Sequence, residues 1–152
     1  TFSPEMQEVI SASSAYKMLV MLRAVINEGT GVRVRRLGVQ TDMGGKTGTT
    51  NFNADGWFMG VTPDLVGGVW VGAEDRSIHF QNLANGQGAS MALPIWAKFL
   101  LKAYADPRLK MSDRPFDRPA GINKRLDCDE TISEAEVKEM NNGIREDEEE
   151  FY

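Results

Sequence analysis

The sequence predicts an α+β chain in which helices pack on an antiparallel sheet. Three observations predict it: apolar residues at helical spacing from residue 12 to 26, extended-chain patterns on both sides of a proline turn, alternating over residues 57–61 and a continuous run from Leu65 to Val71, and a second apolar helical face from Ile95 to Ala103. At 152 residues, 41% hydrophobic and 26% charged, the chain fits one globular domain able to bury a core.

The first helix is read from Ala15, Met18, Leu19, Leu22, Val25 and Ile26, which recur at steps of three and four over about four turns. Ser11 is its expected N-cap, and Gly29 and Gly31 its stop, as residues free to take the left-handed conformation. Residues 32–43 read as an irregular connection. From Gly44 the chain becomes extended: a strand through Lys46 to Thr50, then Trp57, Met59 and Val61 alternating against Phe58 and Gly60, then the run Leu65 to Val71. Between the last two, Thr62, Pro63 and Asp64 suit a tight turn, with proline presetting φ and aspartate bonding the local backbone. Three neighbouring antiparallel strands follow. Residues 73–90 are polar and read as loop. The second helix carries Ile95, Trp96, Phe99, Leu100 and Ala103 on its apolar face, and Pro94 belongs in its first turn, which puts its start near residues 91–93. Pro107, Pro115 and Pro119 space out an extended segment before a short amphipathic stretch from Ser133 to Met140.

Composition excludes several function classes. No stretch approaches the roughly 18 consecutive apolar residues that a bilayer span needs, and no charged-then-apolar leader opens the chain. Any export or anchoring signal is expected outside it. The segment Thr1 to Glu8 reads as the approach to an element rather than a natural terminus, so the chain is expected to be part of a longer protein. Cys128 is a lone cysteine with His79 as its one soft companion, which supports neither an internal disulfide nor a metal site; no cofactor is expected. Net charge is −5, but residues 127–152 carry 11 acids against 2 bases while the remainder is basic. Such an acidic block reads as a solvated tail. Arg33, Arg35 and Arg36 form too short a basic cluster to argue for nucleic acid.

Gly45, Lys46, Thr47, Gly48, Thr49 and Thr50 carry the chemical signal. On a strand, Lys46 and Gly48 point to one face and Thr47 and Thr49 to the other. Together they could offer an ammonium and hydroxyls to a carboxylate, with Gly48 letting a peptide backbone lie close. A bare KTG triplet reads better as a glycine-flanked turn with a solvated lysine, because three residues recur often by chance. A phosphate loop fails, since Gln40 stands where its first glycine belongs and a strand follows where a helix is required. His79 reads as a loop histidine, and Asp55 either orders the loop after the strand or is a carboxylate in a polar turn.

Context turns the triplet into a resemblance. The stretch KTGTTNFNADGWFMGVTPDLVGGVWVG, Lys46 to Gly72, resembles the strand pair at the end of the transpeptidase domain of class A, bifunctional penicillin-binding proteins. Upstream, VISASSAYKMLVMLRAVINEGTG is similar to the family helix that reads VISPETAYLM and ends in GTG; downstream, SMALPIWAKFL is similar to the family's ALPIW helix. The resemblance covers residues 1–120 and leaves 121–152 as an acidic, flexible tail. It implies the C-terminal portion of the beta-lactamase/transpeptidase-like fold, on the periplasmic face of the bacterial inner membrane and anchored from outside this chain.

In that family a serine of an SxxK motif, activated by a neighbouring lysine, attacks a D-alanyl-D-alanine stem peptide, and the acyl-enzyme is resolved by an amine of another strand. Beta-lactams imitate the donor. The resemblance implies that Lys46 supplies positive potential and that Thr47, Gly48, Thr49 and Thr50 bind substrate, with the Thr47 and Thr49 hydroxyls on the donor carboxylate and the Thr49 N–H among the oxyanion donors. The implied partners are peptidoglycan stem peptides, beta-lactams and the remaining, N-terminal part of the same domain. Ser14 and Lys17 satisfy SxxK literally, but Ser14 lies only 32 positions before Lys46 and no SxN occurs anywhere. Ser14 is therefore read as a first-turn helix residue, and the chain as lacking its nucleophile. The alternative is a non-catalytic scaffold or interaction module that keeps the sheet.

Overall fold

In the computed structural model, residues 8–122 and Leu126 are described; the expectations for the first seven residues, Cys128, the Ser133 to Met140 stretch and the acidic tail fall outside them. The elements run α1 (Ala12–Asn27), α2 (Arg33–Arg36), β1 (Gly44–Thr49), β2 (Gly56–Val61), β3 (Val66–Val71), α3 (Leu83–Gly86) and α4 (Gly88–Ala105). The sheet is antiparallel in the order β1-β2-β3, as the strand pattern predicts.

Helix α1 starts where expected, because the Ser11 hydroxyl accepts the backbone N–H of Ser14 (3.2 Å) and satisfies one of the first-turn donors that lack helical partners. Its stop has a different cause from the one predicted. Neither Gly29 nor Gly31 has the positive φ of a left-handed cap. Both sit in tight quarters instead: a Cβ on Gly29 would lie 3.0 Å from the Val25 Cα, and one on Gly31 would lie 2.7 Å from the Ile26 Cδ1, the tip of a side chain that can turn aside. Of the predicted stripe on α1 only Ile26 is buried.

Residues 32–43 are less irregular than their sequence suggests. The single turn α2 buries Val34, and Val39 and Met43 join it in the core. In the tight turn between β2 and β3, Thr62 takes the part expected of aspartate, its hydroxyl accepting the Leu65 N–H (3.0 Å) while its own N–H donates to the Leu65 carbonyl (2.8 Å). The Asp64 carboxylate instead holds Ser112, accepting its N–H (2.8 Å) and its hydroxyl (2.7 Å).

Helix α4 corrects two expectations. It begins at Gly88, earlier than residues 91–93, and Pro94 lies in its interior. An interior proline costs one helical hydrogen bond and a clash, about 3 kcal/mol. Burial of Leu93, Trp96, Ala97 and Leu100 around it offsets that loss. The start is pinned instead by the Gly88 N–H, which donates to the Thr49 hydroxyl (3.1 Å). The buried arc runs through Ala92, Leu93, Trp96, Ala97, Leu100 and Ala103, so Ile95 and Phe99 are half exposed, not core. The preceding loop holds the extra turn α3, capped by the Asn82 side chain, which accepts the Asn85 N–H (3.0 Å).

The core lies between α4 and one face of the sheet. Phe58 of β2 meets Trp96 edge to face at 5.4 Å, a geometry that adds about 0.5–1.5 kcal/mol to the burial of both rings. Gly60 makes room for the indole, since a Cβ there would run into the ring. By register the other face carries Lys46, Gly48, Trp57, Met59, Gly68 and Trp70.

Candidate active site

Strand β1 is an edge strand, paired with β2 on one side only. Its register sets Lys46 opposite Met59, Thr47 opposite Phe58, Gly48 opposite Trp57 and Thr49 opposite Gly56. The backbone adds direction. The Thr50 N–H donates to the Asp55 carbonyl (3.0 Å), continuing the ladder toward β2. Because N–H groups alternate sides along a strand, those of Thr47 and Thr49 turn to the open edge.

The predicted site residues share this strand but do not share a face. Lys46 stands on the Met59 and Trp57 side, and its ammonium donates to the Thr47 carbonyl (2.7 Å). Gly48 leaves only enough space for the chain beside it, since a Cβ would lie 3.2 Å from the Trp57 Cβ. Thr47 and Thr49 are on the opposite side. The Thr47 hydroxyl lies 2.8 Å from that of Thr30, in the connection after α1. The Thr49 hydroxyl accepts from Gly88 and keeps its own proton free to donate.

Thr50 is used differently. Its hydroxyl donates to the Asp55 carboxylate (3.1 Å) and accepts the Asp55 N–H (2.9 Å), closing the turn that follows β1. The other Asp55 carboxylate oxygen accepts the Trp70 indole N–H (3.0 Å). Asp55 thus orders the loop after the strand, the first of its two sequence readings. Within that turn Phe52 (φ 63°) and Asn53 (φ 56°) sit in the left-handed region. Asn53 fastens the turn to the next loop, its side-chain amide donating to the Phe80 carbonyl (3.3 Å).

Other candidates resolve into structural roles. The Ser14 hydroxyl accepts from that of Ser11 (3.1 Å), within the cap of α1. Arg35 donates to the carbonyls of Val39 (3.2 Å) and Thr41 (2.8 Å) and to the Asn27 side chain, so this one arginine of the cluster ties the connection together. Burial lowers its pKa from the ordinary value, the Arg23 charge adds to the drop, and Asp42 opposes it. His79 is an exposed loop residue whose Nδ1 lies 3.2 Å from the Phe80 carbonyl. Thr30 gave no sequence signal for a site, because nothing in the order of residues announces that a loop threonine will meet Thr47.

Chemically, the edge of β1 offers hydroxyls, outward N–H groups and a nearby ammonium. That set suits an extended peptide ending in a carboxylate, docked as an added strand.

No family model matches the chain. Over 129 residues, 84% of the chain, it is 40% identical to penicillin-binding protein 1A of Pseudomonas aeruginosa. Over 109 residues, 70% of the chain, it is 35% identical to penicillin-binding protein 1A of Neisseria gonorrhoeae. The chain spans 15% and 13% of these relatives' lengths. Among solved structures it is similar to the crystal structure of penicillin-binding protein 1A from Haemophilus influenzae, with a TM-score of 0.63 and 28% identity, covering 74% of this chain and 17% of that one.

Proposed function

We propose, from the premise that this chain is homologous to class A penicillin-binding proteins and corresponds to the C-terminal part of their transpeptidase domain, that it forms one wall of a D-alanyl-D-alanine transpeptidase site. The observation that carries the reading is the open edge of β1, with Lys46, Thr47, Gly48 and Thr49 on it and two N–H groups turned outward. A stem peptide lies along this edge. The Thr47 and Thr49 hydroxyls donate to its terminal carboxylate, and Gly48 permits the close approach. Lys46 supplies positive potential, and the Thr49 N–H stabilises the oxyanion as the carbonyl is attacked. Thr50 serves by holding the turn behind the strand with Asp55.

The attacking serine and its activating lysine come from the remainder of the domain, which packs against the face carrying Trp57, Met59 and Trp70. Acylation of that serine expels the terminal D-alanine, an amine of a second strand then resolves the acyl-enzyme, and beta-lactams intercept the first step. The site works on the extracytoplasmic side of the inner membrane, with the anchor outside this chain; among the described residues no helix is long and apolar enough to cross a membrane. Residues 121–152 are a dispensable appendage in this reading.

Fluorescent penicillin tests the proposal. The full-length protein is expected to label covalently, Lys46→Ala to lower the labelling rate about 100-fold, and truncation after Ala120 to leave it unchanged. The isolated 152 residues are expected to remain unlabelled. Labelling of the isolated chain that Ser14→Ala abolishes would overturn the assignment.

A further inference from the structure

We propose that Thr30 is a positioning residue for the carboxylate subsite, fixing which way the Thr47 hydroxyl points its proton. The inference rests on the reading that Thr47 donates to a substrate carboxylate. The two hydroxyl oxygens are 2.8 Å apart, a full hydrogen bond in which either could be the donor. Each hydroxyl has one proton and two lone pairs, whereas a carboxylate only accepts. When Thr47 gives its proton to a carboxylate, its bond to Thr30 survives only with Thr30 as the donor. Thr30 then feeds a proton into the Thr47 lone pair, and the chain Thr30 to Thr47 to carboxylate runs in one direction, each bond polarising the next.

The support under Thr30 suits this role. The Gly29 N–H is held by the Ala24 carbonyl (3.1 Å), and the Gly31 N–H by the Val25 carbonyl (2.9 Å). The Gly31 carbonyl in turn accepts from Val34 (3.0 Å). Both neighbours of Thr30 are thus tied to helices while its own side chain reaches β1. Its hydroxyl is carried on a fixed base.

The test uses the full-length protein and compares second-order acylation by benzylpenicillin with acylation by its methyl ester, which lacks the charged carboxylate. The ratio of the two rates reads the carboxylate subsite alone. Thr30→Val and Thr30→Ala are each expected to lower the ratio about fivefold to tenfold, and Thr30→Ser to restore it. Thr47→Val is expected to lower it more, about 10- to 100-fold, and adding Thr30→Val to Thr47→Val is expected to change nothing further. A purely structural tie between loop and strand would slow both compounds alike and leave the ratio unmoved, which overturns the inference. If Thr47→Val collapses the ratio while both Thr30 variants keep it, the role of Thr30 fails and that of Thr47 stands. If Thr47→Val keeps the ratio, the carboxylate reading itself fails and the inference with it.

Discussion

At the scale of single residues, glycines and hydroxyls set the geometry on which the site depends. Gly60 is the clearest case, because the Trp96 indole occupies the volume its side chain would need. Gly60→Ala is expected to destabilise the fold by about 1–3 kcal/mol through forced displacement of the ring, read as a lower midpoint in urea. An unchanged midpoint would mean that the indole can move aside at no cost. The sequence showed Lys46, Thr47, Gly48 and Thr49 as a group and correctly split them between two faces, because strand alternation needs only residue order. It could not show Thr30 beside Thr47, nor that Thr50 is occupied by Asp55. Those pairings depend on where loops land, and a side-chain hydroxyl carries no periodicity to betray its partner.

Elements were legible in proportion to their length and regularity. Helix α1, the three strands and α4 announce themselves by period, whereas the single turns α2 and α3 do not, since four residues are too few to display one. The start of α4 was misplaced because a proline rule based on local cost was overruled by tertiary burial. The segment after α4 shows how irregular chain is held. Asp64 accepts two hydrogen bonds from Ser112, the Asp42 carboxylate accepts the Phe116 N–H (3.0 Å), and Arg114 reaches Asp64 at 3.6 Å. The Ser112 hydroxyl, then its N–H and the charge of Arg114, holds the Asp64 carboxyl below the usual carboxylate range. A lowered folded-state pKa means that this anchorage is fully present above the unfolded value, near about pH 4, and is lost as pH falls through the folded value. Hydrogen exchange should therefore show the Ser112 amide protected at neutral pH and losing protection as acid protonates Asp64, and Asp64→Ala, which removes the acceptor, should release it already at neutral pH. Protection unchanged by removal of the Asp64 carboxylate would contradict the anchor.

On the scale of the whole molecule, the described residues form a sheet covered on one face and largely bare on the other. Trp57 (46% exposed), Met59 (46%) and Trp70 (48%) line the bare face, with Trp57 and Trp70 directly opposite each other across β2 and β3. Contiguous apolar surface of this kind marks a place where another protein surface belongs. The isolated chain is therefore expected to bind an apolar dye and to self-associate, with Trp57→Ser and Met59→Lys together reducing both. A chain that binds no dye and stays monomeric would show that this face needs no cover. That need was foreseeable from the sequence as a resemblance to part of a domain; the residues bearing it were not, because alternation alone cannot say which face of a sheet a helix will choose.

The pairing of Trp57 with Trp70 across β2 and β3 has an optical consequence. Of the chain's three tryptophans, Trp96 is already sealed in the core, so its emission is insensitive to events outside. The other two are half in water on one face, and their emission reports on that face alone. Adding the remainder of the domain to the isolated chain should shift the spectrum to the blue, and Trp96→Phe should leave the shift in place while Trp57→Phe with Trp70→Phe removes it. The protein thus carries its own assembly reporter, readable without a label.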